Sequence, residues 1–210
     1  MTLVLATRNR KKLAELDRIL RGQGLALDLL TLDDVDVPDV VESGATFAEN
    51  AVLKATATAA ATGLLSVADD SGLAVDALNG MPGVLSARWS GRAATDDGNL
   101  QLVLEQTHDV PDERRGAAFV CVAALASPQG DVETVEGRVE GRLLRAPRGD
   151  GGFGYDPIFV PDGYDVSTAE MPPDDKDAIS HRGQAFRRIA ALLRAGGGTR
   201  TRTPEGTGSE

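Results

Sequence analysis

The sequence lacks the features that mark several large protein classes. It holds a single cysteine, Cys121, so neither an intrachain disulfide nor a cysteine zinc cluster can form. Because Cys121 lies within an apolar run, we interpret it as a small buried core residue rather than a nucleophile. No apolar stretch is long enough to span a membrane, and no basic segment precedes the apolar run that begins the chain. These absences predict a cytoplasmic protein that does not bind a membrane.

Basic residues are also scarce relative to acidic ones. The 210 residues include 22 Lys and Arg against 32 Asp and Glu, which gives a formal net charge of −10. A general binder of DNA or RNA normally presents a basic surface, so we expect no polymeric nucleic acid as a partner. A small polyanionic substrate is compatible with this charge if the chain supplies a local basic site or a metal ion.

The composition is otherwise that of a globular protein with one large domain or two small lobes. Short strand patterns alternate with helical patterns in the first half, and two longer strand patterns, 117–126 and 132–144, follow. This order predicts an α/β protein with a mixed sheet. Segment 196–210 has no apolar side chain beyond proline and threonine methyl groups, so we predict a disordered tail after a single domain of residues 1–195.

A cationic cluster connects the first predicted strand to the first predicted helix, which we place at about residues 9–20. Residues 7–12 read Thr-Arg-Asn-Arg-Lys-Lys. Free N–H groups at the helix start, the helix dipole and the cationic side chains together favour an anion. The Walker pattern is absent, and a solvated first helical turn explains the same residues equally well.

An acidic cluster follows a short apolar strand that we predict over residues 64–68. Residues 69–72 read Asp-Asp-Ser-Gly, and a further strand is predicted over 73–78. Two adjacent carboxylates suit a divalent cation, and one of them could take a proton from water. A turn with side-chain hydrogen bonds is the alternative, and it is the more frequent explanation of such a motif on its own.

Two further clusters carry candidate functional residues. Thr46 and Glu49 fit a capping box at the start of an Ala-rich helix, so Glu49 has a structural explanation that Glu42 lacks. Segment 152–157, Gly-Phe-Gly-Tyr-Asp-Pro, combines flexible glycines with aromatic rings that can stack a base. Lys176 and the run Ser-His-Arg, which begins at a predicted helix cap, add donors for a phosphate or a base carbonyl.

The order and spacing of six motifs resemble those of the inosine triphosphate pyrophosphatases, also described as noncanonical purine NTP pyrophosphatases. The motifs are Thr7-x-Asn9-x-x-Lys12, the stretches 42–51, 68–73, 82–88 and 152–159, and Ser180-His-Arg-Gly183. The resemblance covers residues 3 to about 195, and six motifs in register make it specific. Arg8 stands where the family commonly has a small residue, and the segment after Gly196 has no counterpart in the family core.

The resemblance implies a mixed α/β fold with two lobes around a deep cleft, usually in a homodimer. It implies Mg²⁺-dependent hydrolysis of ITP, dITP and XTP to the monophosphate and pyrophosphate, which removes deaminated purines from the nucleotide pool. Asp70 is implied to be the proton acceptor and a metal ligand, with Glu42 and Asp69 as nearby acids at the metal. The resemblance and the cationic cluster together assign these residues to substrate: Thr7, Arg8, Asn9, Arg10, Lys11, Lys12, Ser71, Phe153, Gly154, Tyr155, Asp156, Lys176, His181 and Arg182.

Two other functions fit the same motifs. A nucleotide hydrolase of similar architecture could act on modified pyrimidines or cleave a monophosphate, and its products would distinguish it. A non-catalytic nucleotide sensor would need the cationic cluster but not the carboxylates, so the presence of Glu42, Asp69 and Asp70 argues against it.

Overall fold

A six-stranded mixed sheet forms the centre of the computed structural model, which describes residues 1–25 and 27–196. The strands are β1 (Thr2–Leu5), β2 (Asp28–Thr31), β3 (Leu65–Val75), β4 (Gly116–Ala126), β5 (Val132–Leu143) and β6 (Phe159–Pro161). Their order in the sheet is β2-β1-β3-β4-β5-β6. β1 pairs in parallel with β2 and β3, whereas the remaining neighbours pair antiparallel. The predicted α/β fold with a mixed sheet is confirmed.

Helices flank both faces of this sheet. They are α1 (Arg10–Gly22), α2 (Phe47–Thr62), α3 (Asp96–Gln106), α4 (Pro173–Ile179) and α5 (His181–Gly196). The start of α2 follows the predicted cap, because Thr46 Oγ1 accepts a hydrogen bond from the Glu49 N–H at 3.2 Å. The capping box differs in one detail. Glu49 Oε2 accepts from the N–H of Ala45, at 2.8 Å, rather than from that of Thr46.

The long strands β3 and β4 take part in a hydrophobic core at each of their ends, and the sheet divides the first of these cores into two clusters. At one end of these strands, Leu16 of α1 and Phe186 of α5 pack against one face of the sheet. Alanines of α2 pack against the opposite face. At the other end, Leu73 and Val75 join Phe159 and the apolar face of α3 in a separate cluster. Each core forms the centre of one lobe, and residues of both lobes line the cleft that the resemblance implied.

The expectation that β3 ends before residues 69–72 is wrong. β3 continues to Val75, and its register with β4 is unbroken, with Asp69 opposite Ala123 and Asp70 opposite Val122. Successive side chains of a strand point to opposite faces of the sheet, so the two carboxylates diverge. The acidic cluster is therefore the middle of a strand and not a turn.

The carboxyl-terminal part of the chain contains elements that the sequence patterns did not predict. β6 and α4 are short, and neither shows a clear apolar period. α5 begins after Ser180, as predicted, and continues to Gly196. Residues 197–210 lie outside the described residues, so the disordered tail stays a prediction. Within residues 1–25 and 27–196, no helix combines the length and the apolar character needed to cross a membrane.

Candidate active site

A cleft with a volume of about 390 Å³ lies between the two lobes. Most of the predicted site residues line it: Thr7, Arg8, Asn9, Lys12, Glu42, Asp70, Ser71, Phe153, Gly154, Tyr155, Asp156, His181 and Arg182. Four other predicted residues, Arg10, Lys11, Asp69 and Lys176, are not part of this lining among the described residues. The fold therefore brings together motifs that are far apart in the sequence.

The start of α1 supplies positive charge through its side chains more than through its backbone. Asn9 Oδ1 accepts hydrogen bonds from the N–H groups of Lys11, at 3.0 Å, and Lys12, at 3.2 Å. Two of the N–H groups that the sequence analysis expected to be free are thus already bonded. Lys12 and Arg8 reach the cleft and can still balance the charge of an anion there.

Exposed ion pairs surround this cationic edge. Arg8 pairs with Asp39, a cleft residue of the segment between β2 and α2. Lys11 Nζ lies 3.1 Å from Asp96 Oδ2, at the start of α3 in the other lobe. Exposed pairs of this kind contribute about 0–1 kcal/mol, so a polyphosphate can displace these acids at little cost. Arg10 is exposed to solvent, which leaves its predicted substrate contact as a prediction.

Asp69 lies on the face of β3 that is covered by α1 and α5. Its Oδ2 atom accepts from Lys12 Nζ at 3.0 Å and from Ser71 Oγ at 2.8 Å, and Arg182 Nε lies 3.7 Å away. Burial alone would raise the pKa of this carboxyl, but Lys12, Arg182 and Lys54 together hold the pKa well below its usual range. Asp69 is therefore a permanent anion that orders two cations beside the cleft.

Asp70 lies on the opposite face of β3, toward α2. Its Oδ2 atom accepts from Asn50 Nδ2 at 2.9 Å, and its Oδ1 atom accepts from the N–H of Ser71 at 3.1 Å. Burial raises the pKa of this carboxyl and the charge of Glu42 raises it further, against the opposing effect of Lys54 and Asn50. A buried carboxyl with a raised pKa that lines a cleft is a candidate general base.

Glu42 and Lys54 stand beside Asp70 at the wall of the cleft. Lys54 Nζ donates to Glu42 Oε1 at 2.5 Å, and an Arg88 guanidinium nitrogen lies 3.8 Å from Glu42 Oε2. Burial alone would lower the pKa of Lys54, but Asp69 and Glu42 outweigh it and raise this pKa. Lys54 is therefore a cation that faces the same space as Asp70.

A magnesium ion fits Asp70 and Glu42 better than it fits Asp69. No three His, Cys, Asp or Glu side chains form a group suited to a metal within the described part of the chain. Mg²⁺ is, however, usually held by one or two carboxylates together with substrate phosphates. Asp70 and Glu42 both line the cleft, and their mutual repulsion raises the pKa of Asp70, which a dication would relieve. Asp69 is not part of the described cleft lining, so its role at a metal stays a prediction.

The Gly-rich segment 152–157 forms an aromatic wall of the cleft. Asp156 Oδ2 accepts from the N–H of Phe153 at 2.8 Å and from Lys176 Nζ at 2.7 Å. The backbone at Gly152 has a φ of +68°, and an added Cβ would lie 2.1 Å from Asp156 Oδ2, so only glycine fits this turn. Tyr155 donates its hydroxyl to Ser86 O at 2.8 Å and contributes a ring surface to the wall. Lys176 thus forms an ion pair with Asp156 within the described structure, and its predicted contact with the substrate stays a prediction.

Arg182 and His181 lie opposite this wall at the start of α5. Arg182 Nη1 donates to Glu15 Oε2 at 3.2 Å, and Arg182 Nη2 donates to Ser71 Oγ at 3.0 Å. The guanidinium lies 4.9 Å from the centroid of the Phe153 ring, within cation–π range. Burial, together with Arg182 and Lys176, holds the pKa of His181 well below its usual range, so this imidazole is neutral. His181 Nε2 has no hydrogen-bond partner among the described residues.

Comparisons with known proteins agree with this geometry. A family model described as the Ham1 family matches residues 3–192. The chain belongs to the Ham1 family. A Mycobacterium bovis protein named dITP/XTP pyrophosphatase is 58% identical over 92% of this chain and 95% of its own length. A Streptomyces coelicolor protein of the same name is 55% identical over 91% of this chain and 96% of its own length.

Solved structures of Ham1 proteins share the fold. A HAM1 protein from Coxiella burnetii has a TM-score of 0.85 and 43% identity, with 93% of this chain and 99% of that one covered. A Mycobacterium abscessus structure described as nucleoside-triphosphatase and dITP/XTP pyrophosphatase has a TM-score of 0.74 and 55% identity, with 92% and 99% covered.

Two residues were given no role from the sequence: Lys54, which lines the cleft, and Asn50, which is buried behind it and binds Asp70. Both lie on α2, and Thr58, which also lines the cleft, continues their four-residue spacing. Residues at this spacing share one face of a helix. A polar stripe on an otherwise Ala-rich helix was therefore the signal that could have identified them.

Proposed function

We propose that this Ham1-family chain is a nucleoside-triphosphate pyrophosphatase acting on noncanonical purine nucleotides, namely ITP, dITP and XTP. The observation that carries this proposal is the position of Asp70. Its partly desolvated carboxylate lies in one cleft with the cations Lys12 and Lys54 and with the aromatic wall at Phe153. The names of the Mycobacterium bovis and Streptomyces coelicolor relatives support the same activity and substrate class.

The cations of the cleft account for triphosphate binding by an acidic protein. A triphosphate carries about four negative charges near neutral pH and is repelled by a protein of this net charge unless the site is locally positive. Arg8 and Lys12 at the start of α1, and Lys54 on α2, supply that local charge. Displacement of Asp39 from Arg8 on binding would leave the charge of Arg8 free to meet the triphosphate.

Asp70 accounts for the chemical step. A water molecule attacks the α-phosphorus, a new P–O bond forms, and the bond from the α-phosphorus to the bridging oxygen breaks. Asp70 orients this water and accepts its proton, and pyrophosphate departs with the bridging oxygen. Asp70 and Glu42 would hold Mg²⁺, which would supply positive charge at the phosphates when bound. Lys54 and Lys12 stabilise the negative charge that develops on the phosphate oxygens.

Arg182 accounts for the choice of base. Its guanidinium is an obligate donor at the Phe153 end of the cleft, and a 6-oxo purine presents an acceptor where adenine presents an amine. A buried donor that loses its partner is the kind of feature that gives high discrimination. The site should therefore prefer ITP and XTP to ATP.

The test is to incubate the protein with ITP, XTP, ATP and GTP in the presence of Mg²⁺ and to identify the products. We expect pyrophosphate and a nucleoside monophosphate from ITP and XTP, much slower turnover of ATP, and loss of turnover when the metal is chelated. The Asp70→Asn protein serves as the matched control for contaminating phosphatases. Release of orthophosphate, or equal turnover of ATP and ITP, would contradict the proposal.

A homodimer in the cytoplasm is the assembly and location that we propose for this enzyme. The dimer follows from the family resemblance, and the location follows from its proposed substrates, which arise where the nucleotide pool is used. Light scattering coupled to size-exclusion chromatography checks the first statement, and a monomer at micromolar concentration would contradict it. Cell fractionation checks the second.

A further inference from the structure

Asn50 is a fully buried amide in the first turns of α2 that bonds to two different parts of the site. Its Nδ2 atom donates to Asp70 Oδ2 at 2.9 Å. Its Oδ1 atom accepts from the N–H of Gly44 at 2.8 Å. Gly44 lies two residues from Glu42, so one side chain connects the reactive carboxylate to the segment that carries the second acid of the cleft.

The close approach of this amide requires glycine at position 44. A Cβ added there would lie 2.7 Å from Asn50 Oδ1 and 2.7 Å from Glu49 Cβ. Contacts this short force the neighbouring atoms to move, so any larger residue would push the amide away from its present place. Gly44 and Asn50 thus fit each other as a pair.

We propose that Asn50 is a positioning residue that fixes the orientation of the Asp70 carboxylate relative to the Glu42 segment during hydrolysis. The inference rests on the function proposed above, in which Asp70 is the base. Ser71 N–H holds the other oxygen of Asp70, so the two hydrogen bonds together define the rotation of the carboxylate. Displacement of a reacting group by about 1 Å can cost about 10²-fold in rate, which makes such a restraint valuable.

A structural role and a positioning role for Asn50 differ in what its NH₂ group must contact. An amide that only anchored the 42–45 segment would use its oxygen toward Gly44 and could send its NH₂ group to any backbone carbonyl. Here the N–H donor goes to a carboxylate that lines the cleft, so a change at Asn50 alters the orientation of that carboxylate as well as the 42–45 segment. The contact therefore serves the reaction as well as the fold.

The first experiment compares Asn50→Ala with Asn50→Asp in ITP hydrolysis. Asn50→Asp keeps the size of the side chain and an acceptor for Gly44 but removes the N–H donor. We expect both variants to lower kcat about 10- to 100-fold while KM for ITP stays within about threefold of wild type. Thr107→Ala is the matched control, because Thr107 is an equally buried polar residue whose partners, Val103 O and Arg115, lie away from the cleft. It should lower Tm but leave kcat unchanged.

The second experiment tests whether Asn50 acts through Asp70. Asn50→Ala introduced into the Asp70→Asn protein should not lower the residual rate further, because residues that act as one unit are not additive. Gly44→Ala should reproduce the fall in kcat without changing either Asn50 or Asp70, which keeps the test valid if Asn50→Ala does not fold. A full additional loss in the double variant, or normal kcat in Asn50→Asp and Gly44→Ala, would overturn the inference. If the wild type hydrolyses ITP, those variant results overturn the role of Asn50 but leave the proposed function intact. If the wild type does not hydrolyse ITP, both the proposed function and the role of Asn50 are overturned.

Discussion

Asp69 and Asp70 are neighbours in the sequence, but they occupy two regions of the molecule with opposite electrostatics. Asp69 is 2% exposed, and its side chain meets Lys12, Ser71 and Arg182 on the α1 and α5 side of the sheet. The Asp70 side chain meets the neutral amide of Asn50 on the α2 side. The pKa of Asp69 is lowered by its cations, whereas the pKa of Asp70 is raised by burial. The alternation of a β-strand has divided one acidic pair into a carboxylate held as an anion by cations and a carboxylate with a raised pKa.

The different helices on the two faces explain the contrast. α1 and α5 each place a cation against Asp69, so the energetic cost of burying that charge is offset by ion pairs. On the α2 side the nearest cation, Lys54, is shared with Glu42, so Asp70 lacks an ion pair of its own within the described residues. A charge that is buried without such a pair is poorly stabilised and ready to accept a proton.

The largest expected difference between the Asp69 face and the Asp70 face of β3 is the effect of a substitution on turnover. Asp70→Asn should lower kcat for ITP by at least about 10²-fold, because it removes the proton acceptor and a carboxylate ligand for the metal. Its Tm should equal or exceed that of wild type, because the substitution removes a carboxylate whose charged form is less favourable in the folded than in the unfolded state. Steady-state kinetics and calorimetry on the same protein check both statements. Near-normal turnover in a folded variant would remove Asp70 from the mechanism.

The next largest effect is a loss of stability, and we expect it from a substitution on the Asp69 face. Asp69→Asn leaves Lys12 and Arg182 without their shared carboxylate, and breaking a buried ion pair in this way costs about 3 kcal/mol. The free energy of unfolding, measured in urea, should fall accordingly, with Asp70→Asn as the matched control one residue away. Equal stability of the two variants would show that the two faces do not differ as described.

Arg182 connects the Asp69 face to base selection. Arg182→Ala should lower kcat/KM for ITP more than for ATP and so reduce the ITP-to-ATP ratio by about tenfold, the cost of one lost hydrogen bond to a charged donor. Arg18→Ala is a suitable comparison, because Arg18 also pairs with a buried acid, Asp177, but does not line the cleft. An unchanged ratio would assign Arg182 to phosphate binding or to structure alone.

The smallest effect is a difference in how the two variants respond to pH. The folded-state pKa of Asp69 is lowered, so its contribution to stability is present above the unfolded pKa of about 3.9 and is lost as the pH falls toward the folded value. The folded-state pKa of Asp70 is raised, so its cost to stability is present above that folded value and disappears as the pH falls below about 3.9. The Tm of wild type minus that of Asp69→Asn should therefore shrink on acidification from a positive value. For Asp70→Asn the Tm difference should start at zero or below and rise toward zero on acidification. Thermal scans of the three proteins from pH 7 downward measure both differences. The same pH trend in the two differences would contradict the contrast between the two aspartates.

Residue patterns and the family resemblance predicted much of the fold and about half of the residues that line the cleft. The caps at Thr46 and Ser180 and the apolar face of α5 depend on local spacing, and local spacing can be read without a structure. The prediction failed at residues 69–72, where polar letters resembled a turn although the chain continues as a strand between two covered faces. Lys54 was missed because its only sequence signal is the four-residue polar spacing on α2, and that spacing does not show which face of the helix borders the cleft.

By itself, the sequence determined the family to which the chain belongs and supplied the candidate site residues, because motif order and spacing are properties of the chain alone. The tertiary structure decided which of two adjacent aspartates faces cations and which faces an amide. It also decided that Lys176 forms an ion pair with Asp156, that Lys11 forms one with Asp96 of the other lobe, and that Lys54 lines the cleft. These outcomes depend on which helix covers each face of β3, and a pKa depends on the charges within a few ångströms, which only the packed structure brings together.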